Sequence, residues 1–428
     1  MISSYKTLFL VLLAAIGVAL LAGCNDTLRQ FIVPVPKPGG DTQPLSNAVV
    51  LSTNPSGSGS TMHIDVSGDT LAGVVTAGVN PIFLGKGGAS VYVINGDGTI
   101  TSYIALAPLS AIVHTATAAP STSGTVAGGT SSSGNFFTTN SGSNDSSVIS
   151  AGVVAVTQVV PVGTQPVAVA GNTANSKIYV VNHGDNTVTV VSTTDNTAIK
   201  TIAVGLQPIW AVMSADGVDV FVVNQGDGTV SVIDTTLDIV FTTIPVGPSP
   251  NFAFFDPNRE RVYVTNTGSN TVSVIKADGI NLGVTPQILP VKLADITVSG
   301  APVSVAALND GTKVYAALGN CPAGTNHTNL LANLASCNGT QVSVIDAVGL
   351  RETGTLTVGS GAVSVDVSGD ASRAYAVAAH AGIVADIRAA TNSVTATFPA
   401  PQQNLSCSNP SSCPANVTQT PFMVRVFP

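Results

Sequence analysis

The chain has 428 residues, of which only 9% are charged, with 15 Lys plus Arg against 23 Asp plus Glu and a formal net charge of −8. No basic stripe exists to follow a phosphate backbone, which argues against nucleic acid as a partner. Gly, Ser, Thr, Val and Ala dominate without a long amphipathic helical pattern, which excludes a helical bundle.

From the N-terminus, Lys6 supplies a positive flank and Leu8 to Leu21 an apolar run. That run is short of the roughly 20 residues a comfortable bilayer span needs. It ends in Leu21-Ala22-Gly23-Cys24, small residues before a cysteine, which reads as a signal peptide. The motif resembles the bacterial lipobox, in which the cysteine is lipidated and becomes the new N-terminus. Residues 1–23 are therefore expected to be a lipoprotein signal peptide and Cys24 the lipidation site. Residues 24–46, carrying Pro34, Pro36, Pro38, Gly39, Gly40 and Pro44, are expected to form a semi-rigid tether. The expected location is the cell envelope, with lipid at Cys24 tying the chain to a membrane on its periplasmic or outer-surface side. Asn25 does not choose between inner and outer membrane.

The remainder, 47–428, is self-similar. Lys177-Ile178-Tyr179-Val180-Val181-Asn182, Val220-Phe221-Val222-Val223-Asn224 and Arg261-Val262-Tyr263-Val264-Thr265-Asn266 close on asparagines 42 residues apart. Each is followed by a turn, Gly184-Asp185-Asn186, Gly226-Asp227-Gly228 or Gly268-Ser269-Asn270, and then by a second β-branched run. Such pairs read as hairpins. Between them stand Val162-Gly163-Thr164-Gln165-Pro166, Val204-Gly205-Leu206-Gln207-Pro208 and Val246-Gly247-Pro248-Ser249-Pro250, each leading into a short strand. Four strands per unit and a period in the 40s predict β-propeller blades.

These motifs, with Tyr263-Val264-Thr265-Asn266 and Thr271-Val272-Ser273-Val274-Ile275, resemble the YVTN β-propeller repeats of bacterial and archaeal surface-layer and periplasmic proteins. Weaker copies lie at Val91 to Asn95, Phe136 to Asn140, Val314 to Ala317 and Ala374 to Val377, so the resemblance covers nearly all of 47–428. Val49 to Asn54 with Met62 to Val66 looks like a blade without its first strand, and Pro421 to Val426 like a first strand without its blade. Together they would close the ring and remove its edges. Counting hairpins gives eight blades; relatives of this repeat are usually seven-bladed, which is the alternative.

Two insertions break the period. Asn320 to Thr340 carries Cys321 and Cys337, and Ala400 to Gln419 carries Cys407 and Cys413. Four cysteines allow three pairings. Local spacing favours Cys321–Cys337 and Cys407–Cys413, bridges that persist in an oxidising compartment. Propeller topology puts both insertions on one rim, a candidate binding surface.

The inner strands offer a second candidate. Asp366 and Arg425 share one offset in neighbouring first strands, where other blades carry Gly85, Ala170, Val212, Phe254 and Ala306. Charge in a channel of small apolar groups could orient an anionic or polar ligand, or could simply be an ion pair or a solvated strand end. Asp97, Asp185 and Asp227 are explained by turn geometry, since calcium would need six to eight oxygens. Trp210 reads as a buried inter-blade aromatic. The five histidines form no HExxH or CxxCH, and no nucleophile elbow is present. The sequence therefore implies no catalytic set, metal or cofactor. It favours a non-enzymatic binding or scaffold module for an envelope protein or small ligand. The alternative is a lactonase-like or other periplasmic propeller enzyme, which would need several inward metal ligands.

Overall fold

The β-branched runs form strands, and sheets of four such strands stack radially. A computed structural model describes residues 46–54, 57–87, 89–105, 114–117, 128–130, 134–150, 155–171, 174–277, 289–403 and 417–427. Among these lie eight four-stranded antiparallel sheets and one two-stranded ladder, Gln402–Gln403 with Val417–Thr418. In each large sheet the strands are ordered as the chain runs, except that Thr420–Phe427 joins the first. The inner strands touch in succession around a ring. The chain is an all-β, eight-bladed propeller.

Blade 1 holds Thr420–Phe427 innermost, then Asn47–Thr53, Ser58–Asp65 and Thr70–Val79. Blades 2 to 8 start with inner strands Pro81–Gly87, Gly128–Thr130, Pro166–Ala170, Pro208–Met213, Pro250–Asp256, Ser304–Ala307 and Ala362–Val367. Closure runs through antiparallel pairing from Asn47↔Phe427 to Thr53↔Thr420. The degenerate copy near Phe136 is a true blade whose described inner strand is only three residues long.

Second and third strands are buried on both faces, as in Lys177–Asn182 and Thr187–Ser192, because neighbouring blades cover them. This is why they read as continuous Val/Ile/Tyr runs, each fully buried large side chain being worth about 1.5–3 kcal/mol. Fourth strands face water, and Thr197–Ala203 buries only Ile202.

The repeat asparagine locks each hairpin. Asn224 Nδ2 donates to Thr229 Oγ1 and Ser231 Oγ, both at 3.0 Å, and Asn182 and Asn266 do the same to their own Thr and Thr or Ser. Gly205 lies directly over this amide, where a Cβ would come within 2.6 Å of Asn224 Cγ. Asp227 completes the corner: Oδ2 accepts Leu206 N–H at 2.9 Å and Oδ1 the Thr229 hydroxyl at 2.7 Å. Asp185 repeats both bonds in blade 4, and Asp97 Oδ1 accepts Thr99 N–H and Oγ1. The turn reading of these aspartates is thus seen in their hydrogen bonds.

A second device bolts blades together. Lys177, Arg261, Lys313 and Arg373 open second strands as Lys/Arg-x-Tyr, and each reaches the turn between the third and fourth strands of the next blade. Lys177 Nζ and Tyr179 Oη both donate to Asp238, at 2.7 Å each. Lys313 and Tyr315 share Asn392, at 3.0 and 3.2 Å. Arg261 donates to Ala347 C=O. Arg373 pairs with Asp69 across the closing seam and lies 3.8 Å from Asp386. Burial and the Asp69 charge push the Asp386 carboxyl above the usual carboxylate range, with Arg373 opposing.

Candidate functional site: a plugged axial cup

One end of the ring axis is covered. Between Leu318 and Gln341, blade 7 inserts a segment containing helix α1, Leu330–Asn333, and a 3-10 turn, Leu334–Ser336. A Cys321–Cys337 disulfide closes its base, with Cα atoms 4.1 Å apart. From there the segment reaches across the ring. His327 Nε2 donates to Val167 C=O of blade 4 at 3.0 Å. Asn326 Nδ2 donates to Gln225 Oε1 of blade 5 at 2.9 Å. His380 Nε2 of blade 8 donates to Leu334 C=O at 2.7 Å. Leu331 packs on apolar residues of the blades beneath. The first insertion is therefore a plug and not merely a rim ornament. The second insertion, with Cys407 and Cys413, lies outside the described residues over 404–416, as do Cys24 and the whole of 1–45.

Beneath the plug the axis widens into a cavity of about 850 Å³. Its other end is ringed by exposed turns holding Ala215, Pro257, Asn309 and Gly369, so it forms a cup with one mouth. The small residues expected on the axis are there on some blades, at Gly85 and Ala170. Blades 5 and 6 instead bring Trp210, Phe252, Phe254 and Phe255 into the wall, and Phe83 and Phe427 join them. Trp210 is both an inter-blade contact and a wall residue. Its indole N–H donates to Ala253 C=O at 3.1 Å, and its ring packs 4.8 Å from both Phe252 and His327.

Asp366 and Arg425 do come together in this cup, with different roles. Each Asp366 oxygen accepts a backbone N–H, Oδ1 from Val367 at 3.0 Å and Oδ2 from Val426 at 2.9 Å. It fastens the closing strand. Arg425 is half-buried, its guanidinium 5.9 Å from the Phe252 ring centre, and among the described residues its one direct side-chain hydrogen bond is a long 3.4 Å contact to Val424 C=O. Among the described residues no carboxylate lies within 4.0 Å of it.

Sequence reasoning missed Lys86, one residue past the shared offset, Gly85, in blade 2. Its Nζ donates to Val426 C=O at 2.9 Å and sits 5.5 Å over the Phe427 ring. Loss of water around it lowers its pKa, Arg425 adds to the fall and Asp366 resists it. His327 is likewise held down, to about 4, chiefly by burial and further by Arg425 and His183, while its bond to Val167 opposes. It is thus neutral near pH 7, with its buried Nδ1 lacking a hydrogen-bond partner among the described residues. His63 lies elsewhere, buried between blades 1 and 2 with its Nε2 2.8 Å from Tyr103 Oη.

Eight four-stranded blades around a plugged, one-mouthed cup define a β-propeller with an axial cavity. Among solved structures it is similar to Kuenenia stuttgartiensis hydrazine synthase, at 16% identity and TM-score 0.53, covering 72% of this chain and 95% of that one. It is also similar to the dihydro-heme d1 dehydrogenase NirN in complex with DHE, at 15% identity and TM-score 0.64, covering 85% and 75%. A functionally unknown protein from Desulfotomaculum acetoxidans matches at 12% identity and TM-score 0.53, covering 72% and 94%. At such identities the likeness is one of fold. No family model and no curated protein matches the sequence.

Proposed function

We propose that this chain is a lipid-anchored, cell-envelope β-propeller of the YVTN repeat type that acts as a non-enzymatic binding module, with the axial cup as its receptor for a small ligand. Support for the anchor is the Leu21-Ala22-Gly23-Cys24 motif behind an N-terminal apolar run. The single observation that carries the receptor reading is the cup itself. Its volume of about 850 Å³ lies in the range of small-molecule pockets, and it combines apolar walls with few polar groups.

The enzyme alternative draws on the dehydrogenase and synthase titles of its structural neighbours. A lactonase-like site would need inward ligands from several blades, and here the inner strands bring chiefly Asp366, whose oxygens already accept backbone N–H groups.

The test is native mass spectrometry of the full chain purified from membranes, alongside metal analysis. A co-purifying small molecule lost on Trp210→Ala supports the receptor. Stoichiometric tightly held metal would favour the enzyme. The anchor is checked separately: Cys24→Ala should move the protein from the membrane to the soluble fraction.

A further inference from the structure

The geometry points to the chemical class of the ligand: an organic carboxylate with an apolar body, its head group on Arg425 and its body against Trp210, Phe252 and Phe254. This inference rests on the cup being a receptor.

Asp366 and Lys86 look like an opposed pair but are each directed at the backbone of Val426. Arg425, beside them, presents a planar fork of five N–H donors, and among the described residues a single long contact to Val424 C=O engages it. A half-buried guanidinium within a partly apolar wall, without a carboxylate in reach, is an arrangement that an incoming anion completes. Its fork matches a carboxylate in bidentate fashion.

Arg425 acts on the groups around it: it lowers the pKa of Lys86, against a larger opposing effect of Asp366, and that of His327 in the plug. The Asp366 charge is drawn toward backbone N–H groups. Asp370 stands at the rim with its oxygens on Ser368 and Ser372, in the turn that it caps.

The body of the ligand follows from the wall. Trp210, Phe252, Phe254 and Phe255 form an aromatic arc on blades 5 and 6, with Met213 and Val212 beside it. A free inorganic anion would leave this surface in water; a neutral apolar molecule would leave the guanidinium uncompleted. A carboxylate with an apolar tail or ring system satisfies both.

Trp210 is the sole tryptophan, so its emission reports the cup directly. The probes are octanoate and octanamide, which share a body and differ in charge, titrated into the full detergent-solubilised chain. Octanoate should shift Trp210 emission to the blue and saturate, with octanamide at least about tenfold weaker. Arg425→Gln should weaken octanoate at least about tenfold and leave octanamide unchanged, while Arg425→Lys restores part of the loss. An unchanged melting temperature shows that each variant is folded. Equal affinity for the two probes, or an Arg425→Gln variant that still prefers octanoate, overturns the carboxylate class and leaves the receptor standing. A Trp210 signal blind to both probes overturns the receptor reading and this inference with it.

Discussion

Asp366 and Lys86 hold one residue from opposite sides: Asp366 of blade 8 accepts the N–H of Val426, and Lys86 of blade 2 donates to its C=O, both at 2.9 Å. Val426 lies in the strand by which the C-terminal end of the chain completes blade 1. That innermost strand has a sheet partner on one side only. Its axis-facing polar groups need other partners, and the flanking blades supply them, Ser364 accepting Val424 N–H at 3.2 Å in the same way.

Removing that clasp should loosen the seam before the rest of the ring. Asp366→Ala strands a buried N–H, at a cost of about 1–3 kcal/mol. Amide exchange across 420–427 should quicken, with Thr187–Ser192 on the far side unchanged. Asp366→Asn, which keeps an acceptor, should lie between. Uniform exchange across both strands would show that Asp366 does not hold the closure.

Asp386, also at the seam, gives stability a pH dependence. Burial and Asp69 raise its folded-state pKa above the ordinary value of about 3.9. Over that window the folded state binds more protons than the unfolded state, so this group makes stability fall as pH rises. Asp386→Asn mimics the protonated form. It should melt with wild type near pH 4 and progressively above it toward pH 7. A difference independent of pH would mean that the raised pKa is absent.

Gly205 and Asn224 should behave as a unit. Gly205→Ala drives a Cβ into the Asn224 amide, and Asn224→Ala abandons Thr229 and Ser231. Each should cost about 1–3 kcal/mol in urea unfolding. The double variant should cost clearly less than the sum, because both act on one contact. Gly354→Ala, with open space at its Cβ, is the control and should be near neutral.

The Cys321–Cys337 bridge spans 16 residues. Replacing both cysteines with serine should weaken the plug by up to about 3 kcal/mol on loop-closure grounds. Exchange at 325–334 should speed up and Trp210 emission should move to the red as His327 leaves its ring. An unaltered Trp210 spectrum with faster plug exchange would separate the plug from the cup.

The repeat was legible because it is a local code. Val-Gly-x-x-Pro, the closing Asn and the Gly-Asp turn act within a hairpin and its entry, so spacing alone exposes four-stranded units, their number, the strand missing from the N-terminal blade and the spare strand at the C-terminal end. The role of each letter was less visible. That Gly205 is glycine because of Asn224, nineteen residues on, needs the folded corner. The Lys/Arg-x-Tyr bolts left a readable trace at 177–179, 261–263, 313–315 and 373–375, but the partners sit one blade away, at Asp238, Ala347, Asn392 and Asp69.

The sequence by itself determined the blades, because each hairpin is set by alternation and turn chemistry within about 40 residues. It also singled out Asp366 and Arg425 as charges on inner strands. Only the tertiary structure decided what those charges do. Curling eight sheets into a ring sets residues 86, 366 and 425 side by side, turns Asp366 and Lys86 to the backbone of Val426, and leaves Arg425 facing an aromatic cup beneath a plug from blade 7. Such neighbours are fixed by ring closure, a property of the whole circle that no single repeat encodes.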